Sequence, residues 1–199
     1  MKGVARVMKV SGQRFGVVRL SLLAIGLLVL TTGCTTTGLS TVYYDVPGAT
    51  VEQISQQIFL RAPKKGRSLV QVETRMTPKV ETEYGPGGCR ITSVEIEDEV
   101  KITLPRWTEL DKADQRTRKS FQELSGYLDW YAQQHLDIYR RHQRLIEEKI
   151  AAVEPQPICW LTLRKAKEVF QESWDEHNEE QLAFQYKEDS TVTKRLNSL

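Results

Sequence analysis

From Cys89 to Leu104 apolar and polar residues alternate. Val94, Ile96, Val100, Ile102 and Leu104 fall on one face, and Glu95, Glu97, Glu99 and Lys101 on the other. A period of two with one greasy face predicts a long, half-buried strand of an antiparallel sheet. Asp98 interrupts the apolar row and marks a position for a bulge. Upstream, Thr41 to Val46 is rich in β-branched and aromatic residues and reads as a strand closed by Pro47-Gly48. Thr50-Val51-Glu52-Gln53 is a capping box that opens a helix. Ile54, Ile58 and Phe59/Leu60 continue its face until Pro63 and Gly66. Ser68 to Arg75 and Lys79 to Tyr84 predict a hairpin around Thr77-Pro78, and Gly85-Pro86-Gly87-Gly88 is a turn.

Beyond Pro105-Arg106-Trp107 the period lengthens. Phe121, Leu124, Leu128, Tyr131, His135, Ile138, His142 and Leu145 lie three and four apart, one stripe of a long helix. That helix begins near Asp111, ends before Pro155 and has a possible kink point at Gly126. A second helix runs from about Leu161 into the 180s and buries Leu163, Ala166, Phe170 and Phe184. The predicted class is α+β: a small antiparallel sheet followed by a long helix and a second, C-terminal helix.

The first 33 residues are of a different kind. Lys2, Arg6, Lys9, Arg14 and Arg19 precede an apolar run from Leu20 to Leu30, and Thr31-Thr32-Gly33 precede Cys34. A basic start, a short greasy core and small residues make a secretory signal. A Cys directly after them resembles a lipoprotein signal, cut before Cys34 once that thiol carries diacylglycerol. The alternatives are an ordinary signal peptide with a chance Cys, or a short anchor. The core falls short of the roughly 20 residues a spanning helix needs. The expected domains are therefore a signal peptide over 1–33, a tether over 34–40 and one domain over 41–199. Met1 and Met8 are both available as starts. Thr35 after the cut, rather than Asp, resembles lipoproteins sorted to the outer membrane. The expected place is the cell envelope, facing the periplasm, with the N-terminal lipid as the membrane contact.

Removing that segment reverses the charge. The chain has 28 basic and 26 acidic residues. Five of the basic ones and none of the acidic ones precede Cys34, which leaves 23 against 26, a net −3. The basic balance belongs to the signal and is no argument for nucleic acid as a partner. Of three cysteines, lipidation of Cys34 leaves Cys89 and Cys159. In an oxidising compartment they are expected to bridge, worth on the order of 3–4 kcal/mol; buried free thiols are the other reading.

The chemistry on offer is thin. There is no GxSxG, no phosphate-cradling glycine loop and no basic patch interleaved with Trp107, Trp130, Trp160 and Trp174. Of the three histidines, His135 and His142 share a stripe two turns apart, too far to hold one ion together. A histidine on an apolar stripe is more often a satisfied core residue. His177, in Trp174-Asp175-Glu176-His177-Asn178-Glu179-Glu180, reads as part of a solvated helix face.

Several segments in order carry a resemblance: Tyr43 to Gly48, Cys89 to Ile96, then Leu104-Pro105-Arg106-Trp107 leading into the long helix. The chain resembles the bacterial domain-of-unknown-function family 922, whose suggested activity is secreted, zinc-dependent proteolysis. The resemblance covers the chain from about Val42 and implies a zincin-like long helix bearing H-E-x-x-H. In such a helix two histidines share a zinc and the Glu activates its water. The matching segment here is Tyr131-Ala132-Gln133-Gln134-His135, so Tyr131 stands at the first ligand position and Ala132 at the base. The late segment Q-x-x-Y-D-x-x-T-D-H-G matches Gln181 to Thr191 and puts Ser190 at its His. His135 alone remains of the implied set. The expectation is a degenerate, non-catalytic binding or scaffolding lipoprotein without a cofactor, whose partner is a peptide or an envelope protein. The alternative is an active zinc peptidase with atypical ligands.

Overall fold

The computed structural model describes residues 38–63 and 68–197. The predicted signal peptide, Cys34, Thr35 to Thr37 and Gly66 lie outside them. The element order is β1 (Gly38–Val46), α1 (Val51–Arg61), β2 (Gln71–Gly85), β3 (Gly88–Trp107), a 3-10 turn (Leu110–Lys112), α2 (Gln115–Ala151) and α3 (Cys159–Asn197). The class is α+β. Gly38 to Ser40, read as tether, already belong to β1.

β3 is the centre of a three-stranded sheet of order β1-β3-β2. β2 pairs with it antiparallel through the turn at Gly85–Gly88, as the alternation predicts. β1 corrects the reading, because it pairs with β3 in parallel, from Gly38 opposite Glu99 to Val46 opposite Trp107. The sheet is therefore mixed. A parallel pair needs a long crossover, and α1 with β2 supplies it.

Two further expectations fail inside the hairpin. β2 does not turn at Thr77-Pro78 but runs straight through, with Pro78 opposite Ile96. An edge strand needs ladder donors only from alternate residues, so proline is tolerated there. The register slips between Glu81 and Thr82, leaving Thr92 as the extra residue, and not at Asp98, which sits in register opposite Met76. Asp98 is accommodated by a partner instead, since the Tyr139 hydroxyl donates to its Oδ2 at 3.1 Å.

Even-numbered residues of β2 and β3 from Val72 to Val80 and Val94 to Leu104 share the face that meets the helices. Val100, Ile96 and Ile102 are buried there with Phe121, Leu124, Leu128 and Tyr139 of α2. The opposite face is a ladder of exposed ion pairs, Glu73–Lys101 at 3.7 Å, Arg75–Glu99 at 3.9 Å and Lys79–Glu97. Such pairs contribute little stability each; they keep that face wet.

α1 starts as expected, with the Thr50 hydroxyl accepting the Gln53 N–H at 3.3 Å. Gln53 turns back to the Ala49 N–H, one residue earlier than a standard box. Ile54 and Ile58 are buried, but Phe59 and Leu60 are exposed, because the inward stripe has already turned past them. Gly48, at φ +132°, makes the corner before α1; a Cβ there would stand 3.0 Å from Ile54 and Gln53 atoms. α2 is capped by Asp114, whose carboxylate accepts the Thr117 N–H at 2.9 Å, and it continues through Gly126 without interruption. Its predicted stripe is buried except for Leu145, which yields to Ile146 and Ile150. Among the described residues, no helix is long and apolar enough to cross a membrane.

Cys89 and Cys159 are bridged, with Cα atoms 4.9 Å apart. The junction is reinforced by the backbone. Cys89 N–H donates to Gln156 O at 2.7 Å, Gln156 N–H returns to Cys89 O at 3.0 Å, and Thr162 Oγ1 donates to the same carbonyl at 2.9 Å. This sets the rotation of α3, so Thr162 faces inward and Leu163, expected in the core, is exposed. Gly88, at φ +103°, lies so close that a Cβ would stand 2.4 Å from Gln156 O.

Replacing Cys89 by Ala is expected to cost about 2–5 kcal/mol, the range for removing a native bridge. Gly88→Ala is expected to be destabilising in its own right, through positive φ and the Gln156 clash. Urea denaturation of the oxidised wild type and both variants checks the order.

Candidate functional site

The segment that matches the zinc motif lies on α2 where α3 covers it. Tyr131, Ala132 and His135 are 5%, 4% and 8% exposed. Phe184 of α3 closes over them, with ring centroids 5.3 Å from Tyr131 and 4.9 Å from His135. Tyr131 and His135 meet edge-on at 4.7 Å. The space around Tyr131 and His135 is filled core, with no open groove between these side chains. Ser190 is exposed on α3.

Beside this plug lies a polar seam. Gln181 of α3 reaches across to α2, where its Oε1 accepts from His135 Nδ1 and its Nε2 donates to His135 O at 3.0 Å. The same Nε2 donates to His177 Nε2 at 3.1 Å. His177 Nδ1 then points to Asn178 Oδ1 at 3.3 Å. The tautomers follow from the acceptors: His135 carries its proton on Nδ1, and His177 also on Nδ1. Both rings fit the network neutral. Burial lowers the pKa of each, that of His177 to about 4.

His177 is the main correction to the sequence reading. Taken as part of a solvated face, it is 1% exposed. Trp174 stacks on it at 4.6 Å, and Tyr139 and His142 meet it edge-on at 5.9 and 5.4 Å. His142 donates through Nε2 to Glu180 Oε2 at 2.8 Å, and Arg141 grips the other oxygen of that carboxylate. These hydrogen bonds, from His142 first, hold the Glu180 carboxyl below its usual range. All three histidines thus gather along one helix–helix seam. Gln181, Glu180, Tyr139 and the inward turn of His177 were missed. The signal was available, since His177 lies seven residues after Phe170 and seven before Phe184, continuing the inward stripe.

Zinc does not fit this donor set. Burial pushes the Tyr131 phenol up to about 12, with Asp189 and Glu188 adding to the effect, so a phenolate ligand is disfavoured. Ala132 has no proton to move. His135 Nδ1 and His177 Nε2 are both taken by Gln181, and His142 Nε2 by Glu180. Among the described residues, no three His, Cys, Asp or Glu side chains are grouped to hold a metal ion.

A family model described as "Bacterial protein of unknown function (DUF922)" matches residues 41–191. The chain belongs to that family. No curated protein and no solved structure matches it significantly. The family match takes in most of β1, all of β2, β3 and α2, and α3 as far as Thr191, including the seam between the two long helices.

A neutral, buried His177 has a consequence for stability. Its folded pKa, about 4, lies below its ordinary 6.5. The unfolded chain therefore takes a proton first, and stability present above pH 6.5 is lost as pH falls toward 4. The loss from this one group is on the order of 2–3 kcal/mol. His177→Phe is expected to flatten that slope, read as urea midpoints between pH 7 and about 4.

Proposed function

We propose that this DUF922 protein is a lipid-anchored, catalytically silent member of its family, acting as a binding or scaffolding protein at the cell envelope. The observation that supports the silent reading most is the closure of Tyr131, Ala132 and His135 beneath Phe184 and Gln181. A peptidase needs an open position at its metal for water and a substrate carbonyl. Here an aromatic ring and an amide take up that space, and the general-base position is a methyl group. The anchor is supported by the N-terminal pattern that ends at Cys34, and the oxidising side of the membrane by the Cys89–Cys159 bridge. With the space around Tyr131 and His135 filled, a partner is taken on another surface.

Two experiments test the two halves of this reading. The purified chain without a histidine tag is expected to hold well under one zinc per molecule and to leave casein intact. Near-stoichiometric zinc that disappears in His135→Ala would instead establish an active peptidase with atypical ligands. For the anchor, wild type is expected to incorporate labelled palmitate and to fractionate with membranes. Cys34→Ser is expected to lose the label and to accumulate as the uncut precursor; a label retained in that variant refutes the lipoprotein assignment.

A further inference from the structure

The two edges of the sheet differ in kind. An edge strand presents unpaired N–H and C=O groups, and proteins guard such edges with charge, proline or cover. The β2 edge is guarded by Glu73, Arg75, Lys79, Glu81 and Glu83, with Pro78 in its middle. β1 carries none of these devices from Gly38 to Tyr44, a run of Gly-Leu-Ser-Thr-Val-Tyr-Tyr. Its first charge is Asp45, already bound to Arg106 at 2.7 Å. Gly38 to Tyr43 are nonetheless all exposed.

The side chains along that edge are also uncovered. Leu39, Thr41 and Tyr43 pair in register with Val100, Ile102 and Leu104, and so share the face that meets the helices. The three β3 residues are buried, whereas Leu39 and Tyr43 are 47% and 56% exposed. A cavity of about 320 Å³ opens beside the strand, lined by Tyr43, Leu104, Trp107 and Leu128.

We propose that β1 pairs antiparallel with β1 of a second copy of this chain, joining two three-stranded sheets into one. The segment is self-complementary. With Thr41 on the two-fold axis, Thr41 faces Thr41, Ser40 faces Val42, and Leu39 faces Tyr43. Leu39 of each copy then lies beside the cavity at Tyr43 of the other. No like charges meet across the axis, which a strand as charged as β2 could not offer. The new ladder satisfies the edge backbone, and the exposed Leu39 and Tyr43 leave water. A second copy suits this edge better than an unrelated chain, because every position from 38 to 44 finds an uncharged counterpart in itself. The pairing rests on β1 and not on the lipid.

The test uses the purified full-length chain in mild detergent, in a Cys34→Ser background that removes the remaining unbridged thiol. Light scattering is expected to give twice the chain mass. Thr41→Lys, an exposed change, is expected to give the mass of one chain with an unchanged circular dichroism spectrum. Under mild oxidation Thr41→Cys is expected to form a dimer reversible by dithiothreitol, while Lys79→Cys on the β2 edge stays monomeric. A parent chain of single mass throughout the concentration range overturns the proposal. So does a dimer that survives Thr41→Lys, or cross-linking of Thr41→Cys no faster than of Lys79→Cys. Any of these results leaves the zinc and palmitate outcomes untouched.

Discussion

The junction at Cys89 sets the geometry on which the rest depends. One residue at the start of β3 is bonded to Cys159 through sulfur, exchanges two backbone hydrogen bonds with Gln156 and receives the Thr162 hydroxyl. A helix pinned at its first turn has little freedom to rotate about its own axis. Its inward stripe is then fixed along its length, through Thr162, Ala166, Ser173 and His177 to Gln181 and Phe184. A slip of one residue turns an α-helix by about 100°, which would replace His177 and Gln181 at the seam with Glu176 and Glu180 in one direction and Asn178 and Leu182 in the other. The bridge closes a 70-residue separation, so its effect on the unfolded chain is also large.

What the pinned helix brings to α2 is neither a metal site nor an ordinary apolar seam. Three imidazoles, an amide and a carboxylate share partners, and each ring has a hydrogen bond. Burying such groups is tolerable only when the network is satisfied, and a satisfied network specifies one alignment of two helices where apolar residues alone would allow several. Gln181 is the hinge of that arrangement because an amide both donates and accepts. It meets the Nδ1 proton of His135 with its oxygen, and the bare Nε2 of His177 with its nitrogen. The buried Ser173 hydroxyl, which has no protein partner, is the one loose end among the described residues.

Seen as a layered object, the domain spends its apolar surface on one side of β3. Ile96, Val100, Ile102 and Leu104 face α2, and the reverse face carries the ion-pair ladder. Among the described residues the sheet has three strands, and both outer strands are edges there. One is guarded by charge and proline. The other is bare, and it is the strand that follows Cys34 in the chain. The Tyr131-to-His135 segment and the bare edge therefore lie in different places, the first closed beneath α3 and the second along β1.

Much of the architecture was legible because it follows from periodicity. The alternation of β3, the 3-4 spacing of α2, the Thr50 cap and the turn at Gly85 to Gly88 each reflect a local rule that the backbone obeys wherever the segment lies. The order of segments likewise pointed to the DUF922 family, and Cys89 and Cys159 were the expected pair if Cys34 is lipidated. What periodicity cannot carry is which strand neighbours which, and what stands opposite a given side chain. The parallel pairing of β1, the passage of β2 through Pro78 and the partner of Asp98 are long-range facts. His177 shows the limit most clearly. In sequence it sits among acidic residues and looks wet; in the fold one helical rotation, set by a disulfide eighteen residues earlier, puts it against Trp174 and beneath Gln181. The sequence by itself determined most of the elements and the pair of cysteines that bridge. Tertiary structure alone decided that the three histidines meet and that Tyr131 and His135 are closed beneath Phe184, because burial depends on neighbours the chain brings from afar.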